Sequence, residues 1–327
     1  MEYRELGDTG IMVSAVSFGT WAIGGSWGSV KEQTALEGLA RAIDAGVTFF
    51  DTADVYGNGR AERLLAQATK GREYDVYIAT KFCRKGDIQD PSNYSLSSVR
   101  AYCEASLKHL SRDTIDLYQI HCPPAKILEQ GDVFHVLDQL KQEGKIREYG
   151  VSVETVAEGI TAMQYPGVKA LQVIFNLFRQ KPVDELFPIA AQKKVGILVR
   201  LPLASGLLTG KFKIGDVFPA DDHRNFNRDG QSFNVGETFA GLPFDKGVDL
   251  AQQLTWITEG RENMARASMR WILDHKEVTC VIPGFKNATQ VNDNLGALDA
   301  PHFTVEEMQR TKEFYQERVA SFIRGAY

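Results

Sequence analysis

Several features that would have directed the reading elsewhere are missing from this sequence. No apolar run approaches the ~18 residues of a membrane-spanning helix. The opening MEYRELGDTG carries neither a basic nor an apolar leader segment, so a cytoplasmic protein without a membrane partner is expected. Cysteine is scarce: four in 327 residues, at 83, 103, 122 and 280, with no C-x-x-C pair. That excludes a disulfide scaffold and a zinc knuckle, and it fits a reducing compartment. The six histidines form no H-x-H pair, so no clustered metal site is expected. Positive charge is not in excess, with 37 basic against 42 acidic residues and a net charge of −5. A weakly acidic chain is a poor binder of polyanions, so nucleic acid is not expected as a partner. The Gly-rich stretch FGTWAIGGSWG (18–28) does not fit G-x-G-x-x-G, and no Walker A sequence occurs, which argues against a doubly wound dinucleotide or mononucleotide fold.

What is present is an alternation. Short runs rich in Val, Ile and Phe each precede a stretch of helical period. VSAVSFGT (13–20) precedes 31–45, VTFFDTA (47–53) precedes 60–70, and VYIATK (76–81) precedes 95–109. DLYQIH (116–121), IREYGVS (146–152) and ALQVIFN (170–176) precede 132–143, 154–163 and 183–193. GILVRLPL (196–203) precedes 246–256 and 262–274, and TCVIPG (279–284) precedes 287–296. Near-continuous apolar strands mark a parallel sheet covered on both faces, and eight strand–helix units make a (β/α)8 barrel. One domain over 1–327 is expected. Two segments fall outside the repeat. YRELGDTGIMVSAV, with turn chemistry at Gly-Asp-Thr-Gly, predicts an N-terminal β-hairpin across the barrel floor. The polar segment 204–240, after the seventh strand, is long enough to be a lid or binding loop.

In such a barrel the active site lies at the C-terminal ends of the strands. Four ionisable groups break the apolar pattern there: Asp51, Tyr56 five residues later, Lys81 and His121. Singly, each has an ordinary explanation. Asp51 can begin a turn, Tyr56 can pack, Lys81 can snorkel, and His121 can be a hydrogen-bonded core residue. Converging on one rim, they suit one chemistry. A phenol near pH ~10 is too weak an acid to act readily at neutral pH. An adjacent ammonium lowers that pKa, and a carboxylate keeps the ammonium charged. With a histidine to orient a carbonyl oxygen, the group is a tuned general acid for carbonyl reduction.

The same residues resemble the aldo-keto reductase superfamily. The likeness spans the chain in FGTW (18–21), DTADVYG (51–57), IATK (78–81), LYQIH (117–121), GKIREYGVS (144–152), PLASGLLTGKF (202–212) and IPGFKNATQVNDN (282–294). Within it the chain looks like the bacterial branch related to general-stress and inositol-operon reductases, and more distantly like potassium-channel β subunits. The resemblance implies a tetrad of Asp51, Tyr56, Lys81 and His121, with Tyr56 the proton donor and NADPH the hydride source. It implies that Thr20 and Trp21 lie near the nicotinamide and that Ser152 and Gln172 hold its carboxamide. Asp51 borders the same pocket. Pro202, Leu203, Ser205 and Lys211 match the segment around the pyrophosphate; Gly284, Lys286, Gln290, Asp293 and Asn294 match the adenosine end. A strand, a glycine and a helix start at 282–290 make an anion site by free amides and helix dipole. Lys286, and less directly Arg224, add positive charge for a ribose 2′-phosphate. The sequence departs from the family twice. Val153 stands where Asn often follows Gly-Val-Ser, and Arg200 stands where an aromatic often stacks on the nicotinamide, a role a planar guanidinium can fill.

The expected activity is NADPH-dependent reduction of aldehydes and some ketones, sugar-derived ones included, by a monomer or weak homo-oligomer. Trp21, Trp27, Phe82 and the 204–240 loop are candidates for the substrate pocket. Cys83 and Cys122 read as packing residues, with redox sensing the weaker alternative. A Schiff-base aldolase using Lys81 leaves Tyr56 and 284–294 unexplained. The other alternative is a module that binds NADPH and reports its redox state without turnover.

Overall fold

The computed structural model describes residues 1–327 apart from 26, 27, 29 and 74. Strands β1 (Tyr3–Glu5) and β2 (Met12–Ser14) form an antiparallel hairpin. Eight parallel strands follow: β3 (Phe18–Gly19), β4 (Phe49–Asp51), β5 (Tyr77–Phe82), β6 (Ile115–His121), β7 (Ile146–Ser152), β8 (Val168–Ile174), β9 (Gly196–Arg200) and β10 (Val278–Ile282). Each pairs with its neighbour in chain order. Parallel bridges from Val16 to Val281 and from Gly19 to Gly284 join the last strand to the first, so the sheet closes into a barrel. Closure removes the free edges a sheet would otherwise expose. Helices lie between the strands, among them Glu32–Asp44, Arg60–Ala68, Leu96–Leu110, Asp132–Gln142, Met264–Leu273 and Ala288–Leu295. Several start where a side chain caps free amides: Ser95, Asn263 and Asn287 each accept from the third residue on, and Thr155 with Glu158 forms a capping box.

The hairpin closes the barrel floor, as its turn chemistry predicted. Leu6, Ile11 and Val13 join Phe49, Ala79, Leu117, Ala170, Leu198, Cys280 and Ile282 in one buried cluster inside the barrel. Gly7, at φ +61°, lies so close to the starts of β8 and β9 that a Cβ would sit 2.6 Å from the Lys194 carbonyl oxygen. Only glycine fits there.

Two expectations need correction. The run VSAVSFGT does not form one strand. Met12–Ser14 pairs with β1, Ser17 Oγ turns back on the Ser14 carbonyl at 2.8 Å, Val16 makes an isolated bridge to Val281, and Phe18–Gly19 forms the barrel strand. The eight-unit reading also missed a further helix, Val305–Phe314, opened by a Thr304–Glu307 capping box. It packs outside the barrel, where Thr311 Oγ1 accepts from Trp271 Nε1 at 2.9 Å.

The loop over 204–240 is built rather than featureless. It contains the turns Ala204–Thr209 and Val235–Glu237 and the short helix His223–Phe226. Phe212 and Phe218 pack edge-on with each other, and with Phe244 and Phe239 they form an aromatic cluster beneath it. Among the described residues no helix is long and apolar enough to cross a membrane.

Candidate active site

Parallel register sets the rim. Asp51 lies opposite Gly19 and Ala79, Lys81 opposite Gln119, and His121 opposite Ser152, which faces Gln172. Side chains alternate along a strand, so Lys81 points into the barrel and its neighbour Phe82 points out to the helices. Phe82 is therefore fully buried and stacks on Tyr118 at 4.7 Å. It lies away from the cleft, which overturns its assignment to the substrate pocket. Trp27 lies outside the described residues.

Asp51, Tyr56, Lys81 and His121 meet. Lys81 is fully buried, and its Nζ donates to Asp51 Oδ2 at 2.7 Å, to the Thr52 carbonyl at 2.7 Å and to the Tyr56 hydroxyl at 3.5 Å. Asp51 Oδ1 accepts from Gln172 Nε2 at 2.7 Å and Gln119 Nε2 at 3.4 Å. The His121 ring meets the Tyr56 ring edge-on, centroids 5.9 Å apart. Tyr56 is held by its successor: Gly57 has φ +60°, and a Cβ there would stand 2.2 Å from the Gly24 carbonyl oxygen. This close approach explains why a glycine must follow the tyrosine.

Burial governs the titration of the group. It pushes the Tyr56 phenol well above its ordinary value, and the Asp51 carboxylate adds to the rise. The phenol is thus raised overall rather than lowered as expected, because desolvation and the Asp51 charge outweigh the Arg200 and Arg84 cations. Burial lowers the Lys81 pKa while Asp51 opposes it. Burial, with Arg84, Lys81 and Arg200, pushes His121 well below the usual imidazole range, so its ring is neutral.

A cleft of about 430 Å3 opens over this rim. Trp21, Asp51, Tyr56, His121, Gln172, Arg200, Pro202, Leu203 and Ser205 line it, as do Lys211, Arg224, Gly284, Lys286, Gln290, Asp293 and Asn294. Three expected residues stand behind the wall. Lys81 is one. Thr20 donates from Oγ1 to the Asp51 carbonyl at 3.1 Å, and Ser152 Oγ lies 3.4 Å from Cys122 Sγ. Ser205 pins the loop, donating to the Glu237 carbonyl and accepting from Phe239 N. Trp21 stacks with Tyr56 at a centroid distance of 6.1 Å and meets His223 at a tilt, centroids 4.8 Å apart.

Part of the wall is built around a helix start. Gln290 Oε1 accepts from Lys286 N at 2.8 Å, and Asn294 Nδ2 donates to the Gly284 carbonyl at 3.1 Å, which shapes the turn before helix Ala288–Leu295. Arg224 is clamped by Asp222 through Nε at 2.9 Å and Nη2 at 2.6 Å. Burial and the Arg224 charge lower the Lys286 pKa. Asp222 offsets part of the Arg224 charge, so Lys286 is the cation whose pKa the neighbouring positive charge lowers.

The sequence reading missed a buried ionic network on the rim. Arg84 Nη2 lies 3.2 Å from Glu154 Oε1 and 3.4 Å from Glu237 Oε1, and its Nε donates to the His121 carbonyl at 3.2 Å. Arg200 Nη1 lies 3.2 Å from Glu237 Oε1, and its Nη2 donates to the Val153 carbonyl at 3.1 Å. Arg84, three residues past Lys81, was the readable signal; Glu237 sits in an aperiodic loop that offered none. Cys122, Glu154 and Glu237 place possible ligand atoms within 4.8 Å of one another. The two guanidiniums already engage both carboxylates. Burial also pushes the Cys83 thiol up to about 12 and raises that of Cys122. Raised thiols disfavour the thiolate that redox sensing needs, which favours the packing reading.

The sequence pattern of the Aldo/keto reductase family matches residues 15–316. The chain is 32% identical over 300 residues to aldo-keto reductase YhdN of Bacillus subtilis, covering 89% of this chain and 87% of that protein. It is 30% identical over 333 residues to a probable voltage-gated potassium channel subunit beta of Oryza sativa, covering 97% and 98%. The structure of the glycerol dehydrogenase AKR11B4 from Gluconobacter oxydans superposes with a TM-score of 0.79 at 28% identity, covering 99% of this chain and 98% of that one. Closed barrel, rim chemistry and full-length similarity agree: this chain belongs to the aldo/keto reductase family.

Proposed function

We propose that this protein is an NADPH-dependent reductase of aldehydes and some ketones, with Tyr56 as general acid, Lys81 and Asp51 as its supporting pair, and His121 as the group that orients the carbonyl oxygen. One observation carries the reading: a fully buried Lys81 Nζ sits 2.7 Å from Asp51 and 3.5 Å from the Tyr56 hydroxyl, on the wall of a cleft large enough for a cofactor.

When bound, NADPH supplies the hydride that reaches the carbonyl carbon. The protein's own groups manage the oxygen. Burial keeps Tyr56 protonated, so the donor is loaded before reaction. As the phenol gives its proton to the developing alkoxide, the phenolate forms beside the Lys81 ammonium, whose field is strong in a desolvated site. Asp51 opposes the burial that would strip Lys81 of its proton. His121, held neutral, lines the cleft beside Tyr56 and can donate to the same oxygen. Lys211, Arg224 and Lys286 supply the charge for the phosphates, and Lys286 with Arg224 supports the choice of a 2′-phosphorylated cofactor. Arg200 is fixed by Val153 and Glu237 at the place where relatives carry an aromatic.

The test is loss of NADPH absorbance with 4-nitrobenzaldehyde for wild type and Tyr56→Phe. A general acid contributes roughly 10²–10⁴-fold, and equal rates would remove the mechanism. The similarity to channel subunits favours one second reading, a module that holds NADPH without turnover. A single NADPH oxidation per site, in place of steady consumption, would select it.

A further inference from the structure

One charged group in the cleft enters the reading above only as an anchor for Arg200. Glu237 is 6% exposed, sits on the turn Val235–Glu237, and lines the same cleft as Tyr56, His121 and Trp21. Its Oε1 faces two guanidiniums, Arg200 Nη1 at 3.2 Å and Arg84 Nη2 at 3.4 Å. Both contacts are longer than the ~2.7–2.9 Å of a strong charge-assisted bond. No hydrogen bond among the described residues reaches Oε2. Although burial pushes its pKa up, Arg200 and Arg84 outweigh that and hold it below the usual carboxylate range. The cleft wall therefore carries an ionised carboxylate with accepting capacity left over, close enough for its charge to be felt at Tyr56.

A carboxylate in that position discriminates. An alkyl chain closing over it would strip water from the charge and return no donor, which is unfavourable. An ammonium-bearing substrate would meet the two flanking guanidiniums. A hydroxyl group is neutral and donates. The geometry points to Glu237 as a specificity-determining residue: its carboxylate accepts hydrogen bonds from hydroxyls carried beside the substrate carbonyl, so that hydroxy-aldehydes and hydroxy-ketones are selected over plain alkyl carbonyls. This rests on the reductase reading above. Glu237 comes from the loop after β9, not from a strand end. Its charge is felt at Tyr56 and it anchors Arg200, so a general loss of rate in Glu237→Gln is read from 4-nitrobenzaldehyde, and the ratio between two substrates isolates selectivity.

The experiment compares kcat/KM for glyceraldehyde and propanal, three-carbon aldehydes that differ by two hydroxyls, in wild type, Glu237→Gln and Glu154→Gln. Hydration of each aldehyde is the same for every enzyme and cancels in comparison. The glyceraldehyde-to-propanal ratio is expected to fall roughly fivefold to tenfold in Glu237→Gln, because the amide oxygen still accepts but lacks the charge that makes the bond strong. Glu154→Gln removes the other carboxylate on Arg84 but lies outside the cleft, and it leaves the ratio unchanged. A wild-type ratio in Glu237→Gln overturns the inference. So does an equal fall in Glu154→Gln, which would trace the effect to the network. Wild type that reduces 4-nitrobenzaldehyde but neither of these aldehydes overturns it too. Wild type that reduces none of the three removes the reductase reading itself.

Discussion

Replacing Lys81 by Met and Asp51 by Asn, singly and together, isolates the pair on which the site is built. The two charges lie 2.7 Å apart with almost no solvent contact. At an effective dielectric of about 20 their attraction is roughly 6 kcal/mol, and most of it offsets the desolvation of two ions. Removing one partner strands the other, at a cost of about 3–5 kcal/mol. The two single variants differ in what remains. In Lys81→Met, Asp51 keeps Gln172 at 2.7 Å and Gln119 at 3.4 Å, so the loss falls at the lower end. In Asp51→Asn, Lys81 keeps the Thr52 carbonyl and the Tyr56 hydroxyl but loses the charge that opposed its burial. Lys81 then sheds its proton more easily in the folded than in the unfolded chain. A base whose folded pKa is depressed is destabilising while protonated, and stability returns as pH rises through that pKa. Asp51→Asn is therefore more destabilised at pH 6 than at pH 9. The double variant strands neither charge and is expected to cost little more than one single change, a coupling of roughly 2–3 kcal/mol. Urea unfolding of the four proteins at both pH values reads all of this. Additive single effects, with no coupling and no pH trend in Asp51→Asn, would refute the claim that the site is held by one buried pair.

Three further outcomes follow from the same structure. Lys286→Glu should raise the KM for NADPH roughly tenfold or more and that for NADH far less; an unchanged preference in steady-state kinetics places the 2′-phosphate elsewhere. Asp54 is 1% exposed, neither of its oxygens has a hydrogen-bond partner among the described residues, and burial raises its pKa from 3.8 to about 7. An acid raised in the folded state loses stability as pH climbs between those values, on the order of 4 kcal/mol when complete. Asp54→Asn should accordingly raise Tm by several degrees at pH 8 and by less at pH 5, and a gain independent of pH would contradict this. Because burial raises the Cys83 and Cys122 thiols, iodoacetamide should label neither in the native protein at pH 7.5, as read by mass spectrometry; rapid native labelling would show that the rim opens.

The sequence by itself determined the architecture. Strand and helix periods differ so sharply that eight units were legible, and closure into a barrel follows from how parallel strands bury both faces. Asp51, Tyr56, Lys81 and His121 were legible because a charged or polar group at the end of an apolar run is conspicuous locally. Tertiary structure alone decided the rest. It turned Phe82 outward, because alternation along β5 commits that side chain once Lys81 points in. It ended the hairpin strand at Ser14 and left Phe18–Gly19 to the barrel, dividing a run that local composition assigned to both. It reversed the expected shift of Tyr56, because desolvation depends on what covers a group. It also joined Glu237 to Arg84 and Arg200, residues 153 and 37 positions away along the chain. Ion pairs of that kind arise when a loop folds back over a rim, and sequence spacing carries no trace of the path it takes.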